Sequence, residues 1–199
     1  MMLIEQTTVP TSALPIQGFK DHLRLGTGFA DDGFQDDVLN TCLRAAMAAI
    51  EARTGKMMIE RAFQWELTGW RGLSEQALPV APVSAINSLT VKDRLGDATL
   101  VDPTRYVLQR DNQRPKIQAT GACLPTVPLG GLVEVIFTAG FSGAWEGMPA
   151  DLGQAMFLLA AHFYEHRTEG EGNRGSMPFG VSSLIEPFRT VRILGGGVA

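Results

Sequence analysis

The sequence predicts an α+β fold, in which a small helical bundle carries an antiparallel β-region inserted between its two main helices. Apolar residues recur at helical spacing over residues 32–55 and again over 149–166. The stretch between them, residues 56–140, instead alternates apolar and polar side chains with the two-residue period of a strand. We therefore expect a single domain over residues 1–188, helical at 15–55 and 149–187 and β-rich at 56–140, followed by an extended tail at 189–199.

Length and composition narrow the class of protein. The chain has 199 residues, enough to bury a sizeable core, and its 45% apolar and 19% charged residues are typical of a folded protein. The formal charge of −4 gives no general attraction to nucleic acid or acidic lipid. No apolar run reaches the roughly 20 residues that span a bilayer, and MMLIEQTTVP lacks the basic flank of a secretory signal. Because Cys42 and Cys123 are too few for a disulfide framework, we expect reduced, cytoplasmic folding and no membrane partner.

Two helices are expected in the first part of the chain. The segment PIQGFKDHLRLG predicts a short helix with Phe19 and Leu23 on one side. The next helix is more strongly marked, since Asp32 fits an N-cap and Gln35 follows it at capping-box spacing. Gly55 is a natural stop for this helix. Its apolar face is expected to consist of Leu39, Cys42, Leu43, Ala46, Met47 and Ile50.

The β-region contains several strand-like runs. Phe63, Trp65 and Leu67 alternate with polar residues and predict a half-buried strand. The prolines of LPVAPV exclude the interior of a sheet and predict an extended connector. INSLTVKD and ATLVD flank the turn-rich DRLGD and predict a hairpin, while RYVLQ and PKIQ are shorter candidates. GLVEVIFTAGF, residues 131–141, is the strongest strand because it is β-branched, apolar on both faces and bounded by glycines.

The second main helix begins near Pro149, which suits the first helical position, with Asp151 in the first turn. Its core-facing stripe is expected to consist of Leu152, Met156, Leu159, Phe163 and His166. Phe157 and Tyr164 form a second apolar stripe, about 120–140° further round the helix. Such a helix is either a central core helix or one that also packs on a neighbouring subunit. A polar loop, a short helix at 181–186 and an apolar tail are expected to follow.

The stretch HFYEH has the His-x-x-Glu-His spacing of a zinc site. With His162, Glu165 and His166 it would support a zinc-dependent hydrolase. Such a site needs a further carboxylate, well downstream on another helix. The acids that follow are Glu169, Glu171 and Glu186. The structural interpretation is favoured, because both histidines fit the end of a helix and its dipole. We therefore expect no metal, no cofactor and no catalytic residue.

Other functional motifs are weaker still. The chain has no Gly-x-Ser-x-Gly elbow, and the glycines at 195–197 do not lie between a strand and a helix, so neither a serine hydrolase nor a phosphate loop is indicated. Residues 105–116 are locally basic and could bind phosphate, but a solvated loop face is favoured in a chain that is acidic as a whole. Trp65, Trp70 and Trp145 are assigned to core and rim rather than to base stacking.

The order of segments along most of the chain resembles a known family. The matching stretches are FKDHLRLG, DDVLNTCLRAAMAAIEARTGKMMIERAFQWEL, LPVAPVSAINSLTV, DPTRYVLQ with PKIQ, GLVEVIFTAGF, MPADLGQAMFLLAAHFYEHRTEG and PFGVSSLIEPFR. Each stretch alone is a weak match, and the resemblance depends on the order and spacing of all of them. The chain thereby resembles the head–tail connector, or adaptor, family of long-tailed phages and the related gene transfer agents and prophages. In that family the matching helix commonly ends in a His-aromatic-Tyr-Glu stretch without a metal role, as His162 to Glu165 do here.

The resemblance implies a structural virion protein rather than an enzyme. Adaptors of this family form a ring, usually of twelve copies, beneath the portal of a filled capsid. The ring extends the DNA channel and docks the tail or a stopper protein, while DNA passes through without sequence-specific binding. The implied partners are the chain itself, the portal protein and the tail or stopper protein. Assembly is expected in the host cytoplasm, and the final place is the head–tail junction of the virion. The alternatives are a tail terminator, a capsid-decorating protein and the zinc-dependent hydrolase.

Phe157 and Tyr164 are predicted to lie at the boundary between subunits of the ring. A single domain of this size is expected to leave their stripe without a second core to pack on. Each subunit of a ring presents two different faces to its neighbours, and a helix that is apolar on two sides suits that arrangement. The role of the β-region in the ring is left open at this point.

The tail, residues 189–199, is predicted to bind the portal. It is strand-like and apolar before three glycines, and such a segment can add to a sheet edge or lie in a groove of a partner. Phe188 and Ile193 are the expected apolar anchors, while Arg189 and Arg192 are expected to meet acidic groups or backbone carbonyls. The predicted portal-binding set is Phe188, Arg189, Val191, Arg192, Ile193 and Leu194.

Overall fold

The computed structural model describes residues 1–25, 33, 35–167 and 177–189. Within these ranges the chain forms four α-helices and eight β-strands. The helices are α1 (Ile16–His22), α2 (Asp36–Thr54), α3 (Ala150–Glu165) and α4 (Phe179–Ile185). The strands are β1 (Met2–Glu5), β2 (Arg61–Leu67), β3 (Glu75–Ala77), β4 (Val83–Lys92), β5 (Ala98–Leu100), β6 (Tyr106–Gln109), β7 (Lys116–Ala119) and β8 (Leu132–Ala139). Most of the β-region lies between the main helices α2 and α3, so the predicted α+β class is confirmed.

Helices α2 and α3 pack on each other and form the centre of the bundle. The apolar face predicted for α2 is buried there, with Leu39, Leu43 and Ile50 fully excluded from solvent. They share one core with Leu152 and Met156 of α3, which are also fully excluded. The short helices α1 and α4 pack on α2 and α3 respectively, as expected for two flanking elements. No helix in the described part of the chain has both the length and the apolar character to cross a membrane.

The ends of α2 match the prediction only in part. The helix begins at Asp36, about one turn later than a cap at Asp32 implies, and Asp32 itself lies outside the described residues. Gln35 is the N-cap residue, yet its side chain makes no capping hydrogen bond, so no capping box forms with it. The predicted stop is confirmed, because Gly55 has a φ of 70° and its N–H donates to the carbonyl of Glu51 at 2.8 Å.

Five strands form an antiparallel sheet in the order β1-β2-β8-β4-β5, with the predicted strongest strand, β8, at its centre. Phe63 of β2 lies opposite Phe137 of β8, so that alternate residues of both strands share one buried, apolar face. The opposite face is polar and half-buried. On it, the Nε2 of Gln64 and the Nζ of Lys92 both donate to Oε2 of Glu134, each at 2.8 Å.

The remaining strands form a second antiparallel sheet, in the order β3-β7-β6. Ile117 of β7 and Tyr106 of β6 share a buried cluster with Trp65 and Val135, so this sheet covers the apolar face of the larger one. The predicted hairpin β4–β5 is confirmed, and the two shorter candidates, RYVLQ and PKIQ, pair with each other as β6 and β7. The strands thus form two sheets, and β1 and β3 were not predicted. A sheet that is apolar on one face needs a second layer, which the short strands of the β-region supply.

A buried ion pair joins the bundle to the large sheet. The carboxylate of Glu51, on α2, accepts hydrogen bonds from Nη1 and Nη2 of Arg61, on β2, at 3.0 and 2.7 Å. The backbone N–H of Met58 also donates to this carboxylate, at 2.8 Å. Burial alone would lower the pKa of Arg61, but the hydrogen bonds and charge of Glu51, together with Glu5, raise it. The two layers are therefore joined by a pair of charges that is largely shielded from water.

The proline-containing connector LPVAPV follows its prediction. It runs alongside the segment that leaves α2, where the N–H of Met57 donates to the carbonyl of Ala81 at 2.8 Å and the N–H of Ala81 donates to that of Gly55 at 3.0 Å. The chain then enters β4 directly at Val83. The connector thus ties the start of the β-region to the end of α2 without occupying an interior position of either sheet.

Candidate assembly surfaces

The core-facing stripe of α3 is largely as predicted. Leu152, Met156 and Leu159 are buried, whereas Phe163 and His166 are half-buried towards the end of the helix. The buried part of α3 therefore ends before its last turn. Side chains of that last turn are available to contact other groups.

Phe157, predicted at a subunit boundary, is half-buried by contacts within its own chain. Its ring stacks on Trp145, with 5.0 Å between centroids, and on Phe19 of α1, with 5.9 Å between centroids. His22 lies on its other side, at 5.5 Å. The premise that this stripe has nothing to pack on was wrong, because α1 and Trp145 cover it. Contact between Phe157 and a neighbouring subunit stays a prediction.

An open cleft of about 270 Å³ lies beside this aromatic stack. Its lining is formed by Trp145, Glu146, Met148, Pro149, Ala150, Gly153, Gln154 and Phe157. A Cβ at Gly153 would lie 3.3 Å from the indole of Trp145, so a larger residue there would have to displace the indole by a few tenths of an ångström. The cleft combines an aromatic floor with polar groups at its rim, a composition that suits contact with another protein.

Tyr164, the other residue predicted at a subunit boundary, is half-buried near the end of α3. Its hydroxyl donates to Oε1 of Gln35 at 3.2 Å, which links α3 to the start of α2. The guanidinium of Arg167 lies 4.4 Å from the centre of the tyrosine ring, and its Nη1 donates to the carbonyl of Tyr164 at 2.8 Å. One face of the ring is thus covered by a cation, an arrangement that holds both side chains in place.

The HFYEH stretch lies at the end of α3. The rings of His162 and His166 are 4.3 Å apart, and Nδ1 of His166 is 2.9 Å from the carbonyl oxygen of His162. This nitrogen is thereby used by the last turn of the helix, while Glu165 points to solvent. Among the described residues, no group of three or more His, Cys, Asp or Glu side chains is placed to hold a metal ion. The geometry favours the structural interpretation of the motif.

The beginning of the predicted tail is attached to the domain. Phe188 packs edge-on against Phe141, with 6.0 Å between ring centroids, and is half-buried. Nε2 of Gln113 donates to the carbonyl of Pro187 at 3.4 Å. Arg189 is exposed and its Nη1 lies 2.9 Å from a carboxylate oxygen of Glu186. The other predicted portal-binding residues, Val191, Arg192, Ile193 and Leu194, lie outside the described residues.

Among the described residues, one exposed apolar run was not predicted from the sequence. Met1, Met2, Leu3 and Ile4 are 73, 51, 37 and 37% exposed, and the last three belong to β1, at one edge of the large sheet. The signal was present, because four consecutive apolar residues precede Glu5. The run lacks the basic flank of a secretory signal, and no strand was predicted there.

A second exposed apolar site lies at the end of the large sheet that is remote from the helices. Leu95, in the β4–β5 turn, and Leu129, in the loop before β8, are 78 and 98% exposed. The two loops are neighbours, since a Cβ on Gly130 would lie 3.4 Å from the Cβ of Arg94. Leu95 and Leu129 are therefore exposed on neighbouring loops at one end of the sheet.

Solved structures of gene transfer agent particles contain chains that are similar to this one. No family model matches the chain, and no curated protein does. A chain from the neck of an empty gene transfer agent particle, computed with C6 symmetry, is 53% identical, with a TM-score of 0.90 and coverage of 98% of this chain and 99% of that one. A chain from the virion of a native gene transfer agent particle shows 53% identity, the same coverages and a TM-score of 0.87. A chain from the neck of a native particle, computed with C12 symmetry, shows 48% identity, the same coverages and a TM-score of 0.85.

The fold, its open apolar surfaces and these likenesses define a structural protein of the virion neck. At 53% identity over nearly the whole chain, the relation is one of family and not of fold alone. The chain belongs to the head–tail connector family of long-tailed phages and gene transfer agents, as its sequence resemblance implied.

Proposed function

We propose that the protein is a head–tail adaptor, which forms a ring under the portal, extends the DNA channel and docks the tail or a stopper protein. The supporting observation is its likeness, over 98% of its length, to a chain from the neck of a gene transfer agent particle. The twelve-fold symmetry under which one such neck was computed supports a ring of twelve copies. In this role the protein acts by contact and shape, without catalysis.

Lateral contacts in the ring involve the outer side of α3 and its surroundings. The cleft beside Trp145 and Phe157 is open, and Tyr164 remains half-exposed although it bonds to Gln35. A cyclic ring needs two different surfaces on each subunit, and this side of the bundle supplies one of them. Phe157 acts here as the floor of the cleft rather than as a free anchor, because its ring is already stacked within the chain.

The portal contact is made by the segment that follows Phe188. That residue fixes the point of departure by packing on Phe141, so the chain leaves the domain at a defined place. Beyond it, Val191, Ile193 and Leu194 supply apolar side chains to the portal. Arg189 and Arg192 supply positive charge for acidic groups or carbonyls of the portal. Ordering this segment costs roughly 1–2 kcal/mol of backbone entropy per residue, which the contacts with the portal offset.

Charge suits a protein that surrounds passing DNA. Each copy carries a formal charge of −4, and a ring multiplies this charge by the number of copies. A net negative ring repels the phosphate backbone, so DNA moves through without being held. Assembly takes place in the host cytoplasm, and the mature position is the head–tail junction.

Electron microscopy of particles that lack the protein tests this function against its alternatives. An adaptor role predicts DNA-filled heads that carry no tails, together with separate tails of normal length. A tail terminator would instead give tails that are missing or of unlimited length, and that result would overturn the proposal. Complementation with the intact chain controls for effects on neighbouring genes, since it should restore tailed particles.

A further inference from the structure

The edge strand β1 carries the most continuous exposed apolar surface in the described part of the chain. Residues 1–4 are all apolar and all exposed, from 37% at Leu3 and Ile4 to 73% at Met1. A run of four exposed apolar residues favours aggregation unless another surface covers it. Scattered single leucines are ordinary on a protein surface, whereas a run on one strand indicates a binding site.

The backbone of β1 has donors and acceptors that face outward. The N–H of Gln6 donates to the carbonyl of Ala62 at 2.8 Å, which identifies a hydrogen-bonded pair next to the β1–β2 ladder. Pairs alternate along an antiparallel ladder, so Ile4 and Met2 are also bonded to β2. The N–H and C=O groups of Leu3 and Glu5 therefore point away from β2. Among the described residues, no strand pairs with this outer edge.

Side chains on both faces of β1 favour an added strand. Leu3 lies opposite Trp65 and extends the apolar face of the sheet, while Met2 and Ile4 extend the polar face with apolar groups. Edges that must stay unpaired are usually blocked by proline, a bulge or an inward-pointing charge. The only charge in the strand, Glu5, is at its end, opposite Phe63 and 3.0 Å from Nε of Arg61, so the residues from Met2 to Ile4 carry no such block.

We propose that the open edge of β1 is a strand-addition site for a second copy of this chain, the neighbouring subunit of the ring. The inference rests on the proposed ring function and names one of its lateral contacts. Strand addition satisfies the outward groups of Leu3 and Glu5 and covers the side chains of residues 1–4 at the same time. A helix laid on this edge would leave the backbone groups unpaired.

The large sheet also has the second surface that a cyclic contact requires. Met2 of β1 and Leu100 of β5 occupy one row of the sheet, at its two opposite edges, separated by Glu66, Glu134 and Thr90. Leu100 is 66% exposed, so the β5 side is apolar and open as well. Two different open edges on opposite sides of one subunit allow each copy to contact two neighbours, as in the cyclic necks of the relatives.

Substitution of Leu3 by proline tests strand addition without removing a hydrogen bond that the folded subunit uses. Because the N–H of Leu3 points away from β2, Leu3→Pro removes no bond of the β1–β2 ladder, but it removes a donor needed by an added strand. We expect unchanged thermal unfolding of the free subunit and about a two- to tenfold loss in the association constant for each contact between subunits, the effect of one net hydrogen bond. Leu3→Val keeps the donor and the apolar side chain, and should assemble like the unmodified chain.

Amide hydrogen exchange on the unmodified chain decides the question even if the proline variant is destabilised. The amides of Leu3 and Glu5 should exchange rapidly in the free subunit and slowly in rings assembled on portal-bearing heads. Rings in which both amides stay rapid would overturn the strand-addition site and leave the adaptor function intact. Protection that appears only after a tail or stopper protein binds would show that the occupant is not a second copy. If the unmodified chain forms no ring on such heads, the adaptor function fails and this site fails with it.

Discussion

Glu51 of α2 and Arg61 of β2 form a buried, two-point ion pair, with N–O distances of 3.0 and 2.7 Å, at the joint between the helical bundle and the large sheet. Both residues are less than a tenth exposed. A pair of this kind adds little net stability over an apolar replacement, but the loss of one partner leaves a charge buried without compensation. Its main effect is to fix the angle between the two layers.

Glu51→Gln should therefore destabilise the subunit strongly. The amide cannot compensate the positive charge of Arg61, and Glu5, the other carboxylate beside Arg61, is partly exposed, so we expect a loss of about 3 kcal/mol in the free energy of unfolding. Urea unfolding followed by circular dichroism measures this change. The matched control is Glu165→Gln, an exposed position on α3 where the change should stay within about 0.5 kcal/mol. Equal effects of both substitutions would contradict the role given to the buried pair.

Tyr164→Glu should block ring formation. It places a charge where an aromatic side chain now faces the end of the bundle, and it removes the ring that Arg167 covers. Tyr164→Phe loses only the hydroxyl bond to Gln35, so it should cost less than about 1.5 kcal/mol and still assemble. Native mass spectrometry on portal-containing samples distinguishes rings from single subunits. Rings of normal yield from the glutamate variant would remove Tyr164 from the subunit boundary.

Replacement of both His162 and His166 by alanine should leave particle assembly intact. The histidines pack against each other and against the last turn of α3, so we expect a stability loss of about 1–3 kcal/mol and no loss of function. Particle yield and thermal unfolding are the measurements. Metal analysis of the purified unmodified chain is the control. Stoichiometric zinc, together with a folded but inactive double variant, would refute the structural interpretation of HFYEH.

Deletion of residues 189–199 should give a folded subunit that does not hold the portal. Phe188 is retained in this truncation, so its contact with Phe141 and the packing of α4 are preserved. Heads should then lose DNA or fail to gain tails. Phe188→Ala in the full chain is a useful contrast, because it removes the contact with Phe141 but keeps the residues from Val191 to Leu194, so it should lower stability and weaken portal attachment less than the deletion does. Tailed, active particles at normal yield from the truncated chain would show that another element attaches the adaptor.

The two main helices and the central strand were predictable because each buries a regular, local pattern. The apolar positions of α2, from Leu39 to Ile50, recur at helical spacing, and β8 is β-branched and bounded by glycines. The division into two sheets was not predictable in this way. Strands as short as β3 and β7 gain their stability from the face they cover, so their local sequence carries little signal.

The surfaces were harder to predict than the fold. Phe157 was assigned to a subunit boundary because its stripe is the second apolar side of α3, but the sequence does not say that α1 and Trp145 return to cover it. Lys56 shows the same limit, because its side chain is charged and yet it is only 1% exposed. Contacts between distant parts of the chain decided both positions. The family itself was recognisable, because it depends on the order of segments and not on any one contact.

An uncovered edge like β1 also bears on the timing of assembly. Each newly made copy exposes the same apolar edge strand, and two such copies meet more often as their concentration in the cell rises. Head-to-tail joining without a template produces open filaments as readily as closed circles. A platform that holds the copies at a fixed radius, as a portal would, favours a closed ring over an open filament. Under the proposed strand addition, a low number of free copies would favour joining on such a platform over joining in solution.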